Sequence, residues 1–286
     1  MTKTEIIEFC KQNLVALDDE IELLLRAIDK KISIIIKGES GTGKTELAKT
    51  IASALNRPFH RVDGDENLSI TQLRGWFDPA LAIKSGFGER SFIAGPLTLA
   101  MLNGGLFFFN EVNRAPSESI NGVLAAMDTD ERILEIPQYK TIKAKKEFYT
   151  IFTLNPLEYV GTNPLPEAFF DRCIQINLKH KSGKQAIDIV KLRTNCREQG
   201  LIERCVAFTE KTRTSSYFER GASIRATIQL TQLLMKTSNH PNQVKQTIFA
   251  VYSGKVKLHP DIDRSVEDCL AEIASEIFLS EFPKKV

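Results

Sequence analysis

The chain has 286 residues, of which 42% are hydrophobic and 26% charged, long enough for one large domain or two modest ones with proper cores. Its formal charge of +2 gives no electrostatic reason to expect capture of nucleic acid or anionic lipid. No stretch approaches the roughly 18 apolar residues of a membrane span, and the first residues lack the apolar core of an export signal, so the expected location is cytoplasmic, without a membrane partner. Five cysteines without a CxxC pair exclude a disulfide framework and a zinc site, and the four histidines show no ligand spacing.

In chain order, two helices are predicted over 3–14 and 19–30, the second capped by Asp18 and Asp19 and carrying Ile21, Leu24, Leu25 and Ile28. Ile32 to Ile36 is a β-branched run, the mark of a buried parallel strand. It ends in glycines followed by Leu47, Ala48, Ile51 and Leu55 at helical spacing. The strand, loop, helix unit recurs with Leu106 to Phe109, then Pro116 and a helix placing Ile120, Val123, Leu124 and Met127 on one face. Further strands fit Phe148 to Thr153 and Cys173 to Leu178. The expected class is α/β: a P-loop αβα sandwich around a parallel sheet, with ligands at the carboxyl ends of the strands. After about residue 180 the β signal disappears, and helices are predicted near 183–196, 201–210, 222–236, 241–251 and 264–278. The polar HKSGK stretch sets the expected boundary, giving a nucleotide-binding α/β domain over 1–180 and a small all-α lid over 181–286.

Gly38 to Thr45 reads GESGTGKT, a full match to G-x-x-x-x-G-K-[ST] between a strand and a helix. Glycines here let backbone N–H groups turn inward around an anion at a helix N-terminus. Gly38, Glu39, Ser40, Gly41, Thr42, Gly43, Lys44 and Thr45 are therefore the candidate triphosphate cradle, with Lys44 on the β and γ phosphates and the Thr45 hydroxyl on Mg²⁺. The expected cofactors are Mg²⁺ and a nucleoside triphosphate, the loop alone leaving ATP and GTP open.

In P-loop ATPases a strand beside the P-loop strand ends in an acidic pair, the first residue holding the Mg²⁺ shell and the second polarising the attacking water. Glu111 fills the second place. The first is Asn110, which keeps an acceptor oxygen but not the charge. Two unit charges about 4 Å apart interact by roughly 4 kcal/mol at an effective dielectric near 20, so weakened Mg²⁺ binding or slow turnover is expected. Asp63 to Asn67, DGDEN, lacks the later glycine and glutamate of a Ca²⁺ loop and reads as a polar turn after a strand.

FFFNEVNRAP, with GPLTLAM before it and NGVLAAMDTDERIL after it, resembles the second-motif region of the MoxR family of AAA+ ATPases. The resemblance runs from the first helices to the lid. It implies that Asn155 in FTLNP is a sensor-1 residue fixing the attacking water, and that Arg172 in LPEAFFDRC is an arginine finger offered to a neighbour's ATP. Arg225 in GASIRA is similarly implied to be a sensor-2 residue reaching its own subunit's γ-phosphate. HRVDGDENLSITQLRGW and IFTLNPLEYVG are similar also to the gas-vesicle N protein and Rubisco-activase Q branches. The family further implies a hexameric homo-oligomeric ring, an insert within Trp76 to Phe92, and a hairpin around Ile133 to Lys146 facing the pore or a partner. YKTIKAKK within it reads as a solvated edge with protective lysines. Two functions stand side by side: an ATP-driven machine that remodels or matures a protein complex with a separate von Willebrand factor A-domain partner, and a nucleotide-dependent assembly scaffold that hardly hydrolyses. A nucleic-acid motor is disfavoured by the near-neutral charge.

Overall fold

The computed structural model describes residues 2–156, 163–236 and 240–278. The chain forms two compact units, one of Met1–Glu39 with Gly43–Lys179, the other of Ser40–Thr42 with His180–Val286.

The first unit opens with helices α1 (Lys3–Asn13) and α2 (Asp18–Asp29). Thr2 caps α1, its hydroxyl accepting from the Glu5 N–H while the Glu5 carboxylate takes the Thr2 N–H. Asp18 and Asp19 lie in the first turn of α2 and do not cap it, because Leu17 holds the cap position without a side-chain bond. They act there on the helix dipole, and Asp18 pairs with Lys11 at 2.7 Å. Then follow β1 (Ser33–Lys37), α3 (Lys44–Ala54), β2 (Phe59–Asp63), α4 (Ile70–Arg74), β3 (Gly75–Phe77), α5 (Pro79–Ser85), β4 (Phe92–Ala94), α6 (Pro96–Asn103) and β5 (Leu106–Asn110). After β5 come a 3₁₀ turn at Val112–Arg114, α7 (Ser117–Asn121), α8 (Leu124–Met127), β6 (Ile133–Ile136), β7 (Lys140–Lys143), β8 (Tyr149–Leu154), α9 (Glu167–Phe170) and β9 (Cys173–Asn177).

Five strands form one parallel sheet in the order β2-β5-β8-β1-β9. Side-chain alternation along each strand divides the core between the two faces. Ile34, Ile36, Leu106, Phe108, Tyr149 and Ile151 pack against α1, α2 and α3 on one side. Ile35, Phe107, Phe109 and Phe152 pack with α6, α7, α8 and the β6–β7 hairpin on the other. Burial on both faces is why these strands read as unbroken apolar runs, and the result is an αβα sandwich.

One helix was expected after Pro116, and two short ones are present. The chain breaks at Gly122, whose carbonyl accepts from Arg74 Nη2 at 3.1 Å and whose missing Cβ leaves the space that Ile70 occupies. Ile120, Val123 and Met127 are nevertheless buried together, so the apolar face survives the break. The β6–β7 hairpin buries Leu134, Ile136 and Ile142 and leaves Lys140 and Lys143 in water. The β3–β4 pair with α5 was not expected from the sequence, because none of its elements exceeds seven residues and α5 buries none of its side chains.

The second unit carries α10 (Gly183–Thr194), α11 (Gln199–Thr214), β10 (Phe218–Arg220), α12 (Ile224–Leu234), α13 (Pro241–Tyr252), β11 (Lys257–Leu258) and α14 (Val266–Phe278). Its core gathers Val190, Ile202, Phe208, Leu230, Ile248, Tyr252 and Leu270, with Phe208 and Tyr252 edge to face at 4.9 Å. The Tyr252 hydroxyl is satisfied inside by Thr209 at 2.6 Å, and Thr209 meets Thr227 at 2.7 Å. This helical region also contains the antiparallel β10–β11 pair, three and two residues long and too short to leave a periodic signal. Among the described residues no helix is long and apolar enough to cross a membrane.

Candidate functional site

In a parallel sheet all carboxyl ends lie on one edge, and that edge collects most of the predicted residues of the first unit. β1 runs into the loop Gly38–Thr45, whose first N–H is held by the Leu154 carbonyl of β8 at 3.1 Å. Gly41 has φ +85° and Gly43 φ +97°, left-handed values that glycine adopts without strain. Gly43 is the N-cap of α3 and brings no side-chain acceptor, so the cap does not compete with an anion for the first N–H groups of the helix. Lys44 is buried, and its Nζ donates to the carbonyls of Gly38 at 2.6 Å and Glu39 at 2.9 Å. The lysine is thus folded against its own loop, with Thr45 following it in the first turn of α3. Positive-φ glycines, a helix start without a side-chain cap and a buried lysine are the donor set that a triphosphate tail requires.

The register corrects one expectation about neighbours. The strand bearing Asn110 is not beside the P-loop strand: β8 lies between β5 and β1, with Phe108 opposite Ile151 and Ile34 opposite the same residue. The residue that borders the P-loop is accordingly Asn155, buried just past the end of β8.

At the end of β5, four hydrogen bonds run across three strands. The Glu111 N–H donates to Thr153 Oγ1 at 2.8 Å, and Thr153 Oγ1 donates to Asn110 Oδ1 at 2.9 Å. Asn110 Nδ2 donates to Asp63 Oδ1 at 2.9 Å, and the Gly64 N–H donates to the Asn110 carbonyl at 2.7 Å. Because the ionised Asp63 carboxylate can only accept, the Asn110 NH₂ faces it, which leaves the amide oxygen to accept the proton of the Thr153 hydroxyl. Glu111 itself sits at φ +51°, an uncommon backbone for a residue with a side chain, and the bond from its N–H to Thr153 anchors it there. Its carboxylate Oε2 lies 3.2 Å from Arg114 Nη1.

Asp63 is not part of a turn, as the sequence suggested, but the last residue of β2, in register with Asn110. Arg61 grips it with both Nε and Nη2 at 2.5 to 3.1 Å. That hydrogen-bonded guanidinium, helped by the Asn110 amide, holds the Asp63 carboxyl below its ordinary range against the opposing effect of burial. The turn proper begins later, where Asp65 Oδ1 accepts the Asn67 N–H at 2.8 Å. Asp63, Arg61 and Thr153 were missed as site residues. The one available signal was a carboxylate closing the run FHRVD, where a parallel strand delivers its last side chain to the ligand edge.

Arg172 is not on this edge. It immediately precedes β9, whose first residue Cys173 pairs with Ser33 at the start of β1, so it stands at the amino end of the sheet. Its Nη1 donates to the Ala168 carbonyl at 2.8 Å, and it lines an open cleft with Met127, Asp128 and Asp171 that includes no P-loop residue. Arg225 belongs to the second unit, exposed in the first turn of α12. Residues 157–161 of the IFTLNPLEYVG stretch lie outside the described residues.

A parallel sheet with a glycine-rich anion cradle after β1 and polar ends on β5 and β8 defines a P-loop nucleotide-binding protein. Residues 33–173 match the model of the AAA domain, dynein-related subfamily. The chain is 32% identical over 206 residues to an uncharacterized protein of Staphylococcus haemolyticus, covering 71% of this chain and 78% of the relative. A Staphylococcus saprophyticus protein, also uncharacterized, is 30% identical over 205 residues, 70% of this chain and 77% of its own. The chain belongs to the AAA+ ATPase family. Among solved structures, a provisionally assigned ATPase from Cytophaga hutchinsonii superposes over 96% of this chain and 93% of its own, with TM-score 0.55 and 21% identity. The closed state of Hsp104, determined with ATPγS and FITC casein, covers 67% of this chain and 38% of its own, with TM-score 0.51 and 22% identity. At these identities the two structures speak for the fold alone.

Proposed function

We propose that this chain is one subunit of a hexameric ring of MoxR type that binds Mg-ATP and hydrolyses it to remodel or mature a partner protein complex in the cytoplasm. The observation that carries the ring is the separation of Arg172 from the P-loop. The two stand at opposite ends of the same five-residue strands, roughly 16 Å apart at about 3.3 Å per residue, so Arg172 serves a neighbour's nucleotide and not its own.

In this reading the loop amides and Lys44 hold the triphosphate. Release of Lys44 Nζ from the Gly38 and Glu39 carbonyls exchanges two neutral acceptors for phosphate oxygens. The Thr45 hydroxyl and the strand end at Asn110 would hold magnesium, which would supply charge neutralisation for the phosphates when bound. Glu111 takes the proton of the attacking water, which Asn155 orients from the neighbouring strand. Arg172 in trans and Arg225 in cis stabilise charge that spreads over the γ-phosphoryl oxygens. The described residues hold no cluster of three acidic or metal-ligating side chains, which suits an ion bound mainly through phosphate and water. The partner is a separate polypeptide, with a von Willebrand factor A domain as the family likeness suggests.

A second reading is a nucleotide-dependent assembly scaffold with little hydrolysis. It is favoured by Asn110, an amide where an acid is expected. Phosphate release at saturating Mg-ATP, measured beside light-scattering mass with and without nucleotide, separates the two. Turnover that rises with ring assembly supports the motor. Assembly with no phosphate release, with or without protein partners, leaves the scaffold; failure to bind nucleotide defeats both.

A further inference from the structure

The turn that follows Glu111 is held from outside the sheet. Asn163, in the segment between β8 and α9, donates its N–H to the Asn113 carbonyl at 2.6 Å and its Nδ2 to the Ala115 carbonyl at 3.0 Å. We propose that Asn163 is a positioning residue for hydrolysis, which keeps Glu111 in its left-handed backbone by clamping the 3₁₀ turn behind it. The inference rests on the nucleotide site and the role of Glu111 proposed above.

Inside the turn the carbonyls of Glu111 and Val112 take the N–H groups of Arg114 and Ala115 at 3.0 and 3.1 Å. The carbonyls of Asn113 and Ala115 are met by Asn163, so one residue completes the turn's backbone bonding at two points. Two donors on one residue fix the orientation of the turn as well as its distance. Ahead of the turn Glu111 is held by the sheet: its N–H donates to Thr153 Oγ1 at 2.8 Å, and Gly64 packs so close to its carbonyl that a Cβ would not fit. Glu111, at φ +51°, is therefore gripped by the strand ends on one side and by the Asn163-clamped turn on the other. The turn also carries Arg114, whose Nη1 lies 3.2 Å from the Glu111 carboxylate, so any shift of the turn moves the counter-charge of the base as well. A general base must stand within hydrogen-bond reach of its water, and a displacement of about 1 Å can cost about a hundredfold in rate. An amide neither takes nor gives a proton at neutral pH, so Asn163 acts through Glu111 and not on the water itself.

Asn163→Ala removes the Nδ2 donor, and Asn163→Asp removes it while keeping the shape and the backbone bond. Both are compared with the unaltered chain by single-turnover phosphate release and by titration of a fluorescent ATP analogue, alone and combined with Glu111→Gln. Thermal melting sets a common assay temperature at which every variant is folded. Each single variant is expected to release phosphate about ten- to a hundredfold more slowly, with analogue affinity almost unchanged. In the Glu111→Gln background neither should slow release further, because the group that Asn163 positions is already gone. A residue that only stabilises the fold would slow release by the same factor in both backgrounds or weaken the analogue as well. Either result overturns the proposal, as does full turnover in Asn163→Asp. If the unaltered chain releases no phosphate, or Glu111→Gln releases it undiminished, the functional reading fails first and the inference falls with it.

Discussion

Arg114 Nη1 lies 3.2 Å from Glu111 Oε2, so the carboxylate proposed to activate water is held by a cation from its own 3₁₀ turn. The two side chains are 45% and 28% exposed, and a pair in that setting is worth about 1 kcal/mol or less. Arg114→Ala is therefore expected to raise phosphate release up to about fivefold, with the difference vanishing in high salt as screening loosens the pair in the unaltered chain. A loss of turnover beyond about tenfold would instead place Arg114 on the nucleotide.

Glu111→Gln removes the proton acceptor and leaves the backbone bond to Thr153 in place. Phosphate release should fall by about 10² to 10⁴, the usual contribution of a general base, with nucleotide affinity and melting temperature almost unchanged. Equal losses in binding and hydrolysis would show that the carboxylate serves the metal and not the water.

The distribution of legible and illegible features follows from what leaves a pattern. Ile32 to Ile36 and Leu106 to Phe109 reveal the sheet because strands buried on both faces must be apolar throughout. GESGTGKT reveals the cradle because its backbone geometry needs glycine at Gly41 and Gly43. Strand order is another matter: nothing local says that β8 enters between β1 and β5, since that is decided by long-range packing. The Asp63–Asn110 pair joins residues 47 apart and was invisible for the same reason. The β10–β11 pair and α5 were hidden by shortness alone.

Lys44 is buried, and its Nζ donates to the carbonyls of Gly38 and Glu39, so its charge is held where phosphate oxygens would replace them. Lys44→Ala should weaken binding of a fluorescent ATP analogue by at least about tenfold, the value of one charge-assisted contact. The melting temperature without nucleotide should change little or rise, because a buried ammonium is removed. Undiminished nucleotide affinity in this variant would remove the P-loop from the account.

Burial pushes the thiols of Cys173 and Cys205 from an ordinary 9.0 up to about 12. A group whose pKa is raised by folding binds its proton more tightly in the native state, so its contribution is complete below pH 9 and is lost as the pH climbs towards 12. Stability to urea should thus be flat for these groups through neutral pH and decline above pH 9, and a Cys173→Ala or Cys205→Ala variant should decline less steeply. For Cys205, which is fully buried, this predicts slow reaction with a disulfide reagent in the native state and prompt reaction in denaturant. Fast native labelling of Cys205, fully enclosed in the helical unit, would contradict it.

Whether Arg172 acts across subunits can be decided by mixing two variants. Arg172→Ala leaves a subunit with an intact P-loop and no finger, while Lys44→Ala leaves one with a finger and no P-loop. Each homogeneous ring should be inactive, the first by about 10³ to 10⁵ in turnover if the finger works as in related phosphoryl transfer. In an equimolar mixture, chance pairing around the ring places an intact P-loop next to an intact finger at about one interface in four. Turnover near a quarter of the unaltered level is then expected from two inactive proteins. Because Arg172 sits at the amino end of β9 and the loop at the carboxyl end of β1, no rearrangement of side chains alone lets it serve its own subunit. A mixture that stays inactive although mass measurement shows mixed rings would mean that Arg172 is a packing residue held by the Ala168 carbonyl, and that charge at the γ-phosphate is met from elsewhere.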